Sequence, residues 1–519
     1  MSDLEPLPRA PLAAALDRAR GTQRRDFLLA QPDAASLVSE LPITELHALI
    51  TDVGLEESRE LLALVTPEQV QGMLDLDLWR EDDVAEAQIG PWLDALIDQG
   101  YERTTVLWEG LDPELAALIL GRWTRIYDIV EGELPDDEEP PFFTTPDRFY
   151  VVKITAEDPR DAHRVDRLLD ALYRGDMTVA RHTLRTASSE MGAELEETAL
   201  RFRNGRLADL GYADYYEALE VYRPLVVGGP GGVEIGEGTE ERPSEGAMLA
   251  ADHAEAAMGA PFLGAVLRKV EDAVEARRLE AAMVLLANRV LSADRAAPGD
   301  AAAAKLGAAR ASATLSLGLE VIARGDVARG LEALHTIGLG RIHRVGHTVG
   351  LRLASLFTAL GPRAARAEEP AVALATALVG ARPVFPSALD VPAAGGTRPL
   401  ASLRDVATVT QAIERVASEL TIVHDVLGQN PAALGPSVTV GDVGRTAIAW
   451  IVLGQPPAAT PLEPKDVREI ARVLADDAGR AAARDRVAAA FAGPHAPVAA
   501  AWLDALIETG AARGVRRGA

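Results

Sequence analysis

The apolar positions of this chain are spaced for helices. Behind Thr66-Pro67-Glu68 run Val70, Met73 and Leu74, and behind Asp112-Pro113-Glu114 run Leu115, Leu118 and Ile119. Residues three and four apart share one helical face, so each set is a buried stripe. Thr66 and Asp112 are good N-cap residues, and Pro67 and Pro113 suit a first helical position, where the missing N–H costs nothing. Glu68 and Glu114 then place negative charge in the first turn, where the helix dipole favours it. Leu41-Pro42-Ile43-Thr44-Glu45 and Gly90-Pro91-Trp92 read as helix starts of the same kind. The four prolines lie 25, 24 and 22 residues apart, a degenerate period of the length that stacked helical units use. The period is confined to residues 37–120.

Beyond the repeat the pattern changes. Residues 131–141 form an acidic, proline-bounded linker. Phe149-Tyr150-Val151-Val152-Lys153-Ile154 is the best strand of the chain. One strand makes no sheet, so a minor hairpin is the most β structure expected. Helical spacing resumes over 159–223, and residues 227–247, glycine-rich and acidic, read as a flexible linker. After it alanine dominates, and 248–360 and 400–510 read as long amphipathic helices around a Pro/Gly-rich stretch at 382–399. The expected architecture is all-α. A solenoid-like repeat occupies 1–130, a middle helical region with a short strand 142–226, the linker 227–247, and an alanine-rich helical domain 248–519.

Composition narrows the function. The net charge is −26 over 519 residues. A surface that acidic repels phosphate backbones, so nucleic acid is not an expected partner. No stretch reaches the ~20 apolar residues of a membrane span, and the N-terminus lacks a signal-peptide pattern. There is no cysteine, which removes disulfides, thiolate nucleophiles and cysteine metal sites. These features point to a cytoplasmic protein.

Two clusters could carry chemistry or recognition. Glu332-x-x-His335 stands close to His343-x-x-x-His347, and on one unbroken helix the four side chains would fall within about 120° of one another. That set suggests a divalent metal, although the second Glu-x-x-His of a di-iron bundle is missing. Gly338 and Gly340 could interrupt the helix, and the structural alternative buries Leu334, Ile342, Val345 and Val349 with the histidines flanking them. The second cluster is tyrosine. Four of the eight tyrosines, Tyr212, Tyr215, Tyr216 and Tyr222, lie in one segment, and helical spacing would line them along one side as a partner-binding face. The acids Asp75, Asp77, Glu81, Asp82 and Asp83 lack the full spacing of a calcium loop. The glycine run 228–232 lacks the Lys-Ser/Thr of a phosphate loop, and Gly435-Pro436-Ser437 misses the nucleophile-elbow pattern.

The Leu-Pro and Thr-Pro-Glu helix starts of residues 37–120 resemble the cytosolic helical domain of bacterial magnesium transporters, though none of that family's magnesium-site acids can be matched here. Asp52-Val53-Gly54-Leu55-Glu56, Leu74-Asp75-Leu76-Asp77-Leu78-Trp79 and Gly211-Tyr212-Ala213-Asp214-Tyr215-Tyr216-Glu217-Ala218-Leu219 resemble an uncharacterised bacterial family of unknown function. That second likeness spans most of the chain and implies no activity. The reading that follows is a non-enzymatic scaffold or regulatory protein with a protein partner and no membrane span, its oligomeric state left open. The alternative is a metal-dependent enzyme or metal sensor built on Glu332, His335, His343 and His347, with a divalent metal as its one cofactor. A third reading is a magnesium-responsive regulator acting through the Asp75–Asp83 acids.

Overall fold

The computed structural model describes residues 21–80, 82–132, 142–189, 192–225, 256–391, 395–435 and 437–508. It is predominantly helical. The longer helices are α1 Ile43–Val53, α2 Pro67–Asp77, α3 Glu86–Ile97, α4 Tyr101–Glu109 and α5 Pro113–Gly121, followed by α6 Pro159–Gly175, α7 Met177–Ser189 and α8 Gly192–Asp209. The second half adds α9 Ala273–Ala293, α10 Ala301–Ala323, α11 Val327–Thr336, α12 Leu339–Thr358, α13 Leu403–Thr421, α14 Val440–Val452, α15 Pro464–Val473, α16 Asp477–Ala490 and α17 Ala496–Glu508.

The N-terminal helix starts form largely for the reasons their residues suggest. Thr66 accepts from Gln69 N at 3.2 Å while the Gln69 side chain accepts from Thr66 N at 2.9 Å, a reciprocal cap with Pro67 behind it. Asp112 precedes α5 without capping it, because its carboxylate pairs with Arg206 instead. Pro91 departs from the expectation. It lies inside α3, which starts at Glu86 behind Ala85. A proline in the second turn removes one backbone hydrogen bond, and the buried Ile89, Trp92, Leu93 and Leu96 hold the helix around it.

The expected strand is present as β3, Tyr150–Ile154, with Tyr150, Val152 and Ile154 buried in alternation. It is more than half of a hairpin. It lies between β1, Thr124–Asp128, and β2, Phe142–Thr144, antiparallel to both. The remaining strand pairs among the described residues are two-residue ladders, Trp79–Arg80 with Asp83–Val84 and Phe385–Pro386 with Thr397–Arg398.

One hydrophobic core runs from Leu28 to Ala199 and includes the sheet. The repeat region and the middle region therefore share an interior, across the linker expected at 131–141. A second core gathers Ala218 to Ile342 and a third Leu317 to Leu506. Leu76, Leu207, Tyr212 and Leu291 pack together where the first core meets the second. Residues 227–247, expected as a linker, lie outside the described residues.

Beside that junction sits a buried ion network. Asp75, 1 % exposed, receives Arg206 Nε at 2.6 Å and Nη2 at 3.0 Å, with Gln71 Nε2 at 2.9 Å. Burial pushes the Asp75 carboxyl up against the opposing pull of Arg206. Arg203 donates to the Asp75 carbonyl at 2.9 Å and lies 5.2 Å over the Trp79 ring. Among the described residues one helix, Ala302–Ala323, has the length and composition of a membrane span, but 61 % of that window is packed inside the protein.

In the second half α10 and α12 cross at glycines. A Cβ on Gly318 would overlap the Ile342 carbonyl, and one on Gly346 the Thr314 carbonyl. Gly350, one turn on, has ordinary clearance, its nearest neighbours Leu400 and Pro383 lying 3.5 Å from such a Cβ. Gly346→Ala is therefore expected to cost about 1–3 kcal/mol by overpacking. Gly350→Ala is expected to be neutral, or stabilising by up to about 1 kcal/mol through helix propensity. The midpoints of urea unfolding check both, and equal losses at the two positions would contradict the close crossing.

Candidate functional site

The tyrosine segment docks on the C-terminal end of α9. Gly211, at φ 86°, turns the chain out of α8 with its backbone against Leu285, where a side chain would clash. Asn288 of α9 donates to the Leu210 carbonyl at 2.7 Å. Tyr212 is then buried, its hydroxyl donating to Pro298 O at 3.4 Å, and burial pushes the phenol well up. The segment is not one continuous helix. Tyr215–Ala218 is a single helical turn, capped by Asp214, which accepts from Tyr216 N at 2.9 Å, and Leu219–Tyr222 is a 3-10 turn. The four tyrosines therefore do not share one side. Tyr212 is buried, Tyr215 and Tyr222 are half-buried, and Tyr216 is exposed.

Two consecutive residues just past α9 hold Tyr222 and Tyr215. Asp294 faces in. Its Oδ1 accepts from the Tyr222 hydroxyl at 3.0 Å and from Arg382 Nη1 at 2.7 Å, and its Oδ2 accepts from Arg310 Nη1 at 2.7 Å. The Arg382 guanidinium also lies 4.6 Å over the Tyr222 ring. Arg295 faces out. It adopts the left-handed conformation, φ 54°, and its guanidinium lies 4.1 Å over Tyr215. Tyr215 in turn meets Tyr216 edge to face, with centroids 5.4 Å apart at 68°.

The Tyr222 ring also packs against both histidines of α12, with His343 at 5.9 Å and His347 at 5.0 Å. His343 Nδ1 lies 3.2 Å from the Val221 carbonyl, so that nitrogen carries the proton and donates it. Burial drives the His343 imidazole down to about 4, and burial with the nearby Arg382 charge drives His347 down to about 4. Both are neutral at pH 7. Burial and the Asp294 carboxylate push the Tyr222 hydroxyl up, so it stays a donor.

The four-residue metal set is divided. α11 ends at Thr336 and Gly338 caps a new helix, so the unbroken helix that would align the set does not exist. Glu332 and His335 are exposed, with His335 Nε2 3.8 Å from Glu275, while His343 and His347 are buried against Tyr222. Among the described residues no group of three or more His, Asp or Glu side chains could hold a metal ion. The acids at 75–83 also go separate ways. Asp75 binds Arg206, Asp77 accepts from Trp92 Nε1 at 2.7 Å, and Asp83 pairs with Arg122. Glu81 and the glycine run 228–232 lie outside the described residues.

A family model matches residues 1–514, almost the whole chain, and carries the description "Family of unknown function (DUF6178)". The chain belongs to family DUF6178. The match is to one family over its length and brings no magnesium-transporter domain with it. No curated protein and no solved structure matches the chain.

In this DUF6178 chain the residues that organise the site, Asp294, Arg295, Arg310 and Arg382, carry no motif, and only the tyrosines and histidines they hold stand out in the sequence. The arrangement keeps two neutral imidazoles and a protonated phenol against an acid whose oxygens are already taken. It also presents the Tyr216 ring, the edge of Tyr215 and the Arg295 guanidinium at the surface.

The buried histidines set a pH dependence. Each has an ordinary value of 6.5 when unfolded and about 4 when folded. The folded chain thus binds fewer protons between those limits, and stability rises with pH there. The contribution is complete above pH 6.5 and is lost as pH falls toward 4, by up to about 3 kcal/mol for each histidine. His347→Gln is expected to remove about half of this slope in melting temperature between pH 7 and pH 4.5. An unchanged slope would show that His347 does not titrate as a buried neutral imidazole.

Proposed function

We propose that this protein is a non-enzymatic cytoplasmic scaffold or regulatory protein that engages a protein partner through Tyr215 and Tyr216. One observation carries the reading. Tyr216 is 78 % exposed, yet the pair it forms with Tyr215 is held in place by Arg295 and by the Asp214 cap. Tyrosine and arginine dominate interface hot spots because they bury a large area at small cost in side-chain entropy. A tyrosine pair already ordered in the free protein loses less freedom on binding than a mobile one. The inner half of the segment supports the same reading. Asp294 has its charge balanced by Arg310 and Arg382 and accepts from Tyr222, so it serves as an anchor for the surface above it.

The test uses the full chain as immobilised bait in extract from its native cells, beside a Tyr215→Ala/Tyr216→Ala variant with the same melting temperature. A partner recovered with the wild type is expected to lose affinity at least about 30-fold with the variant, the scale of a hot-spot loss of ~2 kcal/mol. A partner retained at equal affinity by the variant would overturn the assignment of this surface.

A further inference from the structure

An open cavity of about 510 Å³ lies between the end of α5, the start of β1, α7 and the first turn of α8. Leu118, Ile126 and Leu195 give it an apolar wall, and Arg122, Arg125 and Glu196 give it a charged one. The volume is that of a small-molecule site.

The charges decide what it would take. Arg122 Nη2 bridges Asp83 Oδ1 at 2.6 Å and Glu196 Oε1 at 2.8 Å. The single guanidinium is shared between two carboxylates, which hold each other apart in titration, Glu196 up and Asp83 down. The Arg122 Nε is buried and has no acceptor among the described residues. Arg125 is exposed at the cavity, 5.4 Å from the Tyr127 ring, with no carboxylate partner among the described residues. In a chain of 78 acidic and 52 basic residues, Arg125 is a cavity-lining guanidinium with no acid of its own among the described residues.

We infer that this cavity binds a small amphipathic organic anion, its acidic group on Arg125 and its apolar body against Leu118, Ile126 and Leu195. A cationic ligand would meet two guanidiniums and an acid pair already engaged by one of them. A fully polar anion would leave the apolar wall wet. The proposal is independent of the tyrosine surface.

The experiment uses the full chain and 8-anilinonaphthalene-1-sulfonate as probe. Gly121 lines the cavity, and a Cβ there meets nothing within 4 Å, so Gly121→Phe obstructs the site without a clash at the backbone. Arg125→Gln removes the anion's partner at an exposed position. Saturable binding of about one dye per chain is expected, weakened at least about tenfold by either variant at unchanged melting temperature, a change of ~1.4 kcal/mol. Octanoate is expected to displace the dye and octyltrimethylammonium is not. Absence of saturable binding, wild-type affinity in both variants, or equal displacement by the cation would overturn the proposal. Should Gly121→Phe fail to fold, Arg125→Gln and the two competitors decide it alone.

Discussion

The second half of this protein depends on two helix backbones touching. α10 supplies Leu315 and Leu319 to one core and Leu317 to another, and α12 likewise supplies Leu339 and Ile342 to the first and Leu353 and Phe357 to the second. The two helices are thus a shared wall between cores. The wall is thin because Gly318 and Gly346 let each backbone approach a carbonyl of the other. Two helices kept a side chain apart would leave both cores underpacked along the whole contact, and small gaps in a close-packed interior lose dispersion contacts outright. The position of α12 also sets that of His343 and His347, so the polar knot around Tyr222 inherits its geometry from this crossing.

In the N-terminal half a buried charge cluster joins elements distant in sequence. Asp75 in α2 and Asp112 ahead of α5 are tied to Arg206 in α8, more than ninety residues further on. Burying such groups is tolerable only with near-complete partnering, and Gln71 and Arg203 supply the rest of it. The cluster sits next to Leu76 and Leu207, the residues through which the first core meets the second. Its directional bonds fix the relative placement of helices that nonspecific apolar packing would leave free to slide.

What could be read from the residues was local. The Thr66 cap, the buried alternation of Tyr150, Val152 and Ile154, and the helical stripes depend on neighbours a few positions away, and the structure has them. Pro91 misleads because its ring is judged by local propensity, whereas the burial of Ile89, Trp92, Leu93 and Leu96 of the same helix in the core holds that helix together. The partners of β3 carry no buried alternation of their own, so only the fold reveals the three-stranded sheet. The shared core of the first two regions is likewise a matter of long-range contact. At the site, sequence proximity misled. His335 and His343 are near in number but separated by a helix cap at Gly338. Tyr222 and His347 are far apart in number and in contact. Asp294 was invisible because its meaning lies wholly in Tyr222, Arg310 and Arg382, none of which is near it in the chain.

Asp294 and Arg295 are joined by a single peptide bond, yet one is anchored in the interior and the other supports the solvent-facing rings. Arg295 holds a left-handed backbone conformation that a non-glycine residue keeps only under constraint. One peptide bond therefore separates the guanidinium over Tyr215 from the carboxylate that accepts from Tyr222, whose ring packs on His347. The surface pair and the buried polar knot share a single point of attachment at the end of α9.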